Sequence, residues 1–326
     1  MSESSRPTCW VLTTGEAGMR SQAIGLAERL GVDFQEKAVT LRKPWSMLPG
    51  HLCPAPLAGL APEGDRLERP FPELIISCGR RSTALSIGIR RASGGATKTV
   101  HIQNPQTPTK HFDLVIAMRH DAMSGDNVVS VDTALHRVTP EKLAEAAEAW
   151  RERLRGGAER LVGFVLGGPT KHYWMSEALL SRLETMIAKV HEITGARIVV
   201  TPSRRTEARV TERLSAAFAG EPWYWQWDGS GENPYFGILA LADRLVVTAD
   251  SVSMVSEALA TGRAINLLPM NGKSKRHDAF VDNLGRRGLV SVTGPEGLDL
   301  FFTGSGEPVD ATPEVAELVR RRLLQR

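Results

Sequence analysis

The chain has 326 residues, a formal net charge of +3 and a hydrophobic content of 42%, with 24% charged residues. This balance is typical of a soluble globular protein of about two domains, and the small net charge gives no reason to expect a nucleic-acid partner. Three scattered cysteines argue against a disulfide framework. No apolar run approaches the ~20 residues that span a membrane, and the start lacks a signal-peptide pattern. We therefore expect a cytoplasmic protein, either free or peripheral to a membrane.

The first half of the chain alternates strands and helices. CWVLTT (9–14) predicts a strand that runs through Gly15 and Gly18 into a helix closed by Gly31. The glycine spacing is not GxGxxG, so a dinucleotide fingerprint is not supported. Further strands are predicted at 33–39, 73–78, 98–105, 113–117 and 127–132. Because the carboxyl ends of parallel strands share one edge of a sheet, the polar residues that follow these strands predict one polar rim.

This half has an arginine pair and a proline-rich stretch, and the sequence leaves the role of each open. Arg80 and Arg81 stand at the start of a predicted helix and oppose its dipole, which indicates that an anion or an acidic side chain lies nearby. The stretch from Pro44 to Pro72 is rich in proline and long for a loop in a compact domain. Its apolar residues indicate that it is not disordered throughout. It could cover an acceptor site or a partner surface, or it could be a plain insertion.

A strong helix at 140–157 reads as the connector between two halves, because the alternation of strands and helices starts afresh after it. We therefore predict a first domain at residues 1–155 and a second at 156–300. Residues 301–326 are predicted to form a tail with a terminal helix, which begins at Thr312-Pro313.

Strand ends in the second half carry groups that suit phosphate and sugar. Arginine side chains, small hydroxyls and the N–H groups of a helix start all donate to phosphate oxygens, and Glu257 could accept hydrogen bonds from a ribose. A well-capped helix in an ordinary α/β unit would show the same local pattern, so the interpretation depends on several loops converging. The predicted ligand-binding residues are Gly167, Gly168, Thr170, Ser203, Arg204, Arg205, Asn233, Asp250, Ser251, Ser253 and Glu257.

Catalytic residues are harder to place. If an activated sugar binds to the second half, the acceptor and the general base should come from the polar rim of the first. Glu16 and His120 are the residues we select, from a set that also includes His101 and Asp121. No GxSxG nucleophile elbow and no metal-ligand cluster is visible, so we predict metal-independent chemistry without a cofactor, the nucleotide sugar being a substrate.

Several segments together resemble a known family. GGPTKHY, TPSRRT, HIQNP, the opening TTGEAGMRSQAIGLAERL and the run LADRLVVTADSVSMVSEALATGRAINLL are similar to the mitochondrial fission "elongated mitochondria" family of plants and bacteria. The resemblance covers about residues 9–300. It implies an α/β fold of the GT-B type, with two Rossmann-like doubly wound domains facing a cleft. It also implies a relation to nucleotide-sugar glycosyltransferases, with Ser251 and Ser253 at the phosphate and Glu257 at the ribose.

Two functional hypotheses follow. The first is a metal-independent glycosyltransferase with a nucleotide-sugar donor and an envelope or lipid-linked acceptor. The second is a non-catalytic adaptor that keeps the fold and binds a protein partner at a membrane surface. The resemblance implies the second because plant members of the family are linked to recruiting a dynamin-like protein to the mitochondrial outer membrane. Nucleotide binding distinguishes the two hypotheses.

Overall fold

The computed structural model describes residues 6–292 and 306–325. The chain forms two compact units, residues 1–137 with 310–326 and residues 138–309. This division differs from the predicted boundary at 155/156, because the helix Pro140–Arg155 packs within the second unit. A Cβ added to Gly237 would lie 2.5 Å from the Trp150 ring, which shows how closely that helix is seated. The other predicted boundary, at 300/301, lies outside the described residues.

The first unit contains a parallel sheet with the order β2-β1-β3-β4-β5-β6, six strands among the described residues. Every residue of the third and fifth strands is buried, as expected for a parallel sheet that is covered on both faces. The strands are β1 (Thr8–Thr13), β2 (Asp33–Ala38), β3 (Leu74–Cys78), β4 (Lys98–Ile102), β5 (Leu114–Met118) and β6 (Val128–Val131).

The α-helices in the described part of the first unit are α1 (Ala17–Leu30), α2 (Thr83–Ala92) and α9 (Thr312–Val319). The last of these returns from the carboxyl end of the chain and is anchored by polar contacts. The backbone N–H of His136 donates to the Thr312 hydroxyl at 3.3 Å, and Asp310 lies 3.2 Å from the His136 ring. The terminal segment is therefore part of the first unit rather than a separate tail.

The second unit contains a parallel sheet with the order β10-β9-β7-β11-β12-β14, again six strands in the described part of the chain. A two-residue antiparallel ladder joins β8 to β13. The strands are β7 (Leu161–Leu166), β8 (Tyr173–Trp174), β9 (Arg197–Pro202), β10 (Tyr224–Gln226), β11 (Arg244–Thr248), β12 (Ala264–Leu268), β13 (Asn271–Gly272) and β14 (Ser291–Val292). The helices are α3 (Pro140–Arg155), α4 (Glu177–Thr194), α5 (Ala208–Ala217), α6 (Tyr235–Leu241), α7 (Val252–Leu259) and α8 (Lys275–Arg286).

Each sheet has one point where the order of the strands reverses. In the first sheet it lies between β1 and β3, and in the second between β7 and β11. The chains leaving two such neighbouring strands turn to opposite faces, so a crevice opens between them, and ligands of open α/β sheets bind there. The strand order thus singles out one place in each unit.

The predicted fold class is confirmed, and most predicted elements are present within a few residues of their expected bounds. Helix α5 was not predicted, because only Val210 and Leu214 are buried in it and so the apolar stripe is thin. No helix in residues 6–292 and 306–325 combines the length and the apolar character needed to cross a bilayer.

Candidate functional site

The crevice of the second sheet is formed by the turns that follow β7 and β11. Hydrogen bonds join these turns directly. The N–H of Gly167 donates to the Thr248 hydroxyl at 2.6 Å, and the N–H of Gly168 is 3.3 Å from Asp250 Oδ2. Gly167, Gly168 and Asp250, which the sequence predicts as site residues, therefore lie together.

Close packing explains why both positions after β7 are glycine. A Cβ on Gly167 would lie 2.1 Å from Asp250 Oδ1, and a Cβ on Gly168 would lie 1.9 Å from the carbonyl oxygen of Arg205. Real side chains do not approach that closely, so any larger residue would push the turns apart. The glycines are required by contacts within the protein, whether or not a ligand also approaches them.

Asp250 and Arg205 form an ion pair at the centre of the crevice. The Asp250 carboxylate is 0% exposed, and its Oδ2 lies 2.7 Å from Arg205 Nη2. Arg205 also donates to the carbonyl oxygen of Gly168 at 2.7 Å. A buried carboxylate requires such a partner, so Asp250 determines where this guanidinium lies. Asp250 Oδ1 is buried without a hydrogen-bond partner among the described residues.

The loop after β9 is held by its own hydroxyl groups. The N–H of Ser203 donates to Thr206 Oγ1 at 2.8 Å, and that hydroxyl lies 2.6 Å from the carbonyl oxygen of Gly167. Ser203 Oγ accepts from the N–H of Arg205 at 3.2 Å. Thr206, which sequence reasoning did not select, therefore fastens this loop to the turn after β7. Arg204, between Ser203 and Arg205, is exposed.

Helix α7 starts in the crevice directly after Asp250. Its predicted cap is present, since the Ser251 hydroxyl accepts from the N–H of Met254 at 3.4 Å. No acidic residue stands in the first turn, which contains Ser253. The remaining N–H groups of the turn and the positive end of the helix dipole favour an anion here.

Glu257 lies two turns along α7 and is 7% exposed. Its Oε2 accepts from the Tyr235 hydroxyl at 2.7 Å, and Asn233 Oδ1 accepts from the N–H of Tyr235 at 2.9 Å. Burial, and then the nearby Glu257 charge, raise the pKa of Tyr235 well above its ordinary value, so this hydroxyl keeps its proton and donates. The structure thus connects two predicted site residues, Asn233 and Glu257, through a tyrosine that was not predicted.

Helix α8 contacts the turn after β11 through its histidine. His277 Nε2 contacts the carbonyl oxygen of Ala249, and its ring packs 5.2 Å from that of Tyr173. Burial lowers the pKa of His277, which favours a neutral ring that donates to this carbonyl. The Tyr173 hydroxyl donates to Asp278 at 2.9 Å. None of these residues was selected for the site from the sequence.

Thr170 stands apart from the central contacts. It is exposed, and its hydroxyl accepts from the N–H groups of His172 at 3.1 Å and Tyr173 at 3.0 Å, so it closes its own turn. Its predicted role toward a ligand stays a prediction.

The predicted catalytic residues belong to the first unit. Glu16 accepts from the Thr14 hydroxyl at 2.7 Å and from Arg81 at 2.8 Å, so an acidic side chain does pair with one of the two arginines, Arg81. His120 follows β5, three strand positions from the β1 end that leads to Glu16. At ~4.8 Å per strand the ends of β1 and β5 are about 14 Å apart, so we expect the two side chains to act separately rather than as one hydrogen-bonded pair. Their catalytic roles stay predictions.

His101, a weaker candidate base, is part of the core. Its side chain is 0% exposed and lies 2.9 Å from the Ser77 hydroxyl. Burial lowers the pKa of His101 to about 3. The residue is therefore neutral and closed to a substrate at the sheet edge.

Comparison with known proteins identifies the family. The profile described as "Mitochondrial fission ELM1" matches residues 17–323. The chain belongs to that family. The "Mitochondrial fission protein ELM1" of Arabidopsis thaliana is 30% identical over 283 residues, a match that covers 79% of this chain and 66% of the plant protein. The plant family member thus extends well beyond the matched region.

Solved structures of the same fold are distant in sequence. The UDP-GlcNAc 2-epimerase of Neisseria meningitidis, bound to UDP-GlcNAc, has a TM-score of 0.58 and 12% identity, covering 98% of this chain and 99% of that one. The MurG of Acinetobacter baumannii has a TM-score of 0.56 and 13% identity, covering 97% and 99%. These likenesses establish a GT-B-like fold, which nucleotide-sugar-binding proteins share.

Proposed function

We propose that the second unit binds the diphosphate of a nucleotide sugar in the crevice between β7 and β11. One observation carries the proposal. The point of strand reversal coincides with the start of α7, where a Ser251 cap, the Ser253 hydroxyl and a first turn without acidic residues favour an anion. The epimerase of similar fold that holds UDP-GlcNAc makes a uridine nucleotide the first ligand to test.

In this proposal the predicted residues have different roles. Arg204, exposed beside the crevice, and the first turn of α7 hold the phosphates. Arg205 is already paired with buried Asp250, so its main role is to hold the loop in place. Its partly exposed guanidinium also contributes positive charge that attracts the phosphates. Glu257 receives the ribose hydroxyls and is oriented by Tyr235.

The reaction we propose is transfer of the sugar to an acceptor hydroxyl. A base takes the hydroxyl proton, the oxygen attacks the anomeric carbon, and the nucleoside diphosphate leaves. The helix end and Arg204 would stabilise the negative charge that develops on the leaving diphosphate. Glu16 and His120 are the candidate bases, each acting alone, and a lipid-linked or envelope molecule is the proposed acceptor.

A second candidate is a non-catalytic adaptor of the same fold. The name of the plant relative, a mitochondrial fission protein, supports it. The pairing of Arg205 with Asp250 and of Tyr235 with Glu257 also supports it. Polar side chains that are paired within the protein can keep the crevice stable without a ligand. Under this alternative the partner is a protein at a membrane surface.

A thermal-shift panel of UDP, GDP, CMP and their sugars separates these candidates. A nucleotide at about 100 times its Kd stabilises the protein by about 2.7 kcal/mol, so one member of the panel should raise Tm by several degrees. Arg204→Gln should reduce that shift, whereas Arg182→Gln, an exposed arginine on α4, should not. If no nucleotide moves Tm, or if both variants respond equally, the nucleotide proposal fails. Release of nucleoside diphosphate from a sugar nucleotide would exclude the pure adaptor.

A further inference from the structure

A cavity of about 340 Å³ lies within the first unit, at the reversal point between β1 and β3. Its floor comes from the strand ends, with Thr14 after β1 and Arg80 and Arg81 after β3. Its opposite wall is the front of the proline-rich segment, from Trp45 to Gly50. The volume is in the range of small-molecule sites, and the position is where open α/β sheets bind ligands.

The proline-rich wall is a packed part of the unit. A Cβ on Gly50 would lie 2.5 Å from the Thr83 hydroxyl, and a Cβ on Gly59 would lie 2.4 Å from the Trp45 ring. The Trp45 indole N–H donates to the carbonyl oxygen of Pro54 at 2.9 Å. Because these contacts leave no room for adjustment, the cavity is preformed.

One end of the cavity is cationic. Arg80 and Arg81 are the charged residues among those that line it in the described structure, and no acidic residue does so. Arg81 is paired with Glu16 outside the lining. The Arg80 guanidinium has no ion-pair or hydrogen-bond partner within residues 6–292 and 306–325. A guanidinium offers paired donors that match a phosphate or carboxylate.

The other end is apolar and reaches the surface. Leu41, Trp45, Leu48 and Pro49 line it, and Leu48 is also 38% exposed. Met47 and Leu52, close by on the same segment, are 68% and 63% exposed. Exposed apolar side chains that lie together in a patch, unlike ones scattered singly, mark ligand-binding grooves and interaction sites.

We propose that this cavity binds an amphiphilic oxyanion, a phosphate or carboxylate head on a single apolar chain. The head is held by Arg80 and Arg81, and the chain runs along Trp45 and Leu48. The volume admits one chain, so the ligand is a single-chain molecule rather than the surface of a bilayer. The proposal does not depend on nucleotide binding, and failure of either one leaves the other standing.

Titration calorimetry of the full chain with decyl phosphate tests the proposal, with no nucleotide present. We expect saturable binding, weaker binding of inorganic phosphate, and none of decyltrimethylammonium, which has the same chain and the opposite charge. Arg80→Gln should weaken decyl phosphate binding by about tenfold, the loss of one charge-assisted hydrogen bond. Arg66→Gln, on a side chain that is 86% exposed outside the cavity, should not change it.

A second variant tests the apolar end. Leu48→Ser should weaken decyl phosphate binding and leave inorganic phosphate binding unchanged, since only the chain contacts Leu48. Equal binding of the cationic amphiphile, equal affinities of the Arg80 and Arg66 variants, or binding to phosphatidate vesicles without binding of monomeric decyl phosphate would each overturn the proposal. Arg80 and Leu48 are both exposed, so the variants should keep the melting temperature of the parent.

Discussion

At the scale of residues, Asp250 shows that a residue predicted to bind a ligand can instead form contacts within the protein. Its carboxylate is 0% exposed and depends on Arg205. Arg205→Gln should therefore destabilise the second unit by about 3 kcal/mol, because it leaves a buried charge unpaired. Urea unfolding followed by tryptophan fluorescence measures this loss. Arg182→Gln serves as the control and should stay within about 0.5 kcal/mol. A loss no larger than that of the control would contradict the structural role of Arg205.

A second residue-scale prediction concerns pH. Burial lowers the pKa of His101 from 6.5 to about 3. Between these two pH values, His101 is protonated in the unfolded chain and neutral in the folded protein. The stabilisation that this residue provides is complete above its unfolded pKa. It falls by about 1.4 kcal/mol per pH unit as the pH drops toward the folded pKa.

His101→Gln keeps a polar group beside Ser77 but removes the titration. Between about pH 4.5 and 6, its stability curve in urea should be flatter than that of the parent by roughly that slope. Parallel curves for parent and variant would show that His101 titrates normally in the folded state.

At the scale of elements, apolar runs and helix stops predicted most strands and helices, because parallel strands and capped helices have strong local patterns. The Ser251 cap of α7 was predicted from its residue type and position, and it is present. The links between elements could not be predicted in this way. That Tyr235 at the start of α6 holds Glu257 of α7 depends on tertiary packing, and no spacing in the sequence reveals it.

The order of the strands in each sheet also could not be predicted from the sequence. The sequence indicated that polar strand ends share an edge, but not that β7 pairs with both β9 and β11, which places the reversal point between Gly167 and Asp250. The apolar residues of the proline-rich segment predicted only that it is not disordered throughout. That Gly50 lies directly on Thr83 and closes a cavity follows only from the fold.

At the scale of the whole molecule, the domain boundary shows what local patterns miss. Helix α3 looked like a connector because two glycines end it and a new strand follows. Its Trp150 nevertheless packs on Gly237, which makes the helix part of the second unit, and α9 returns to the first. Family membership and the GT-B-like fold agree with this two-unit architecture, in which each unit has its own reversal point.

We propose above all that a nucleoside diphosphate binds at the start of α7. Amide hydrogen exchange of the full chain, with and without saturating UDP or the best nucleotide of the panel, tests it most directly. We predict slower exchange in peptides that cover Ser251–Met254 and Ser203–Thr206, and no change in α4, which has no part in the site. Unchanged exchange in both segments at saturating nucleotide, or protection confined to other parts of the chain, would contradict the claim.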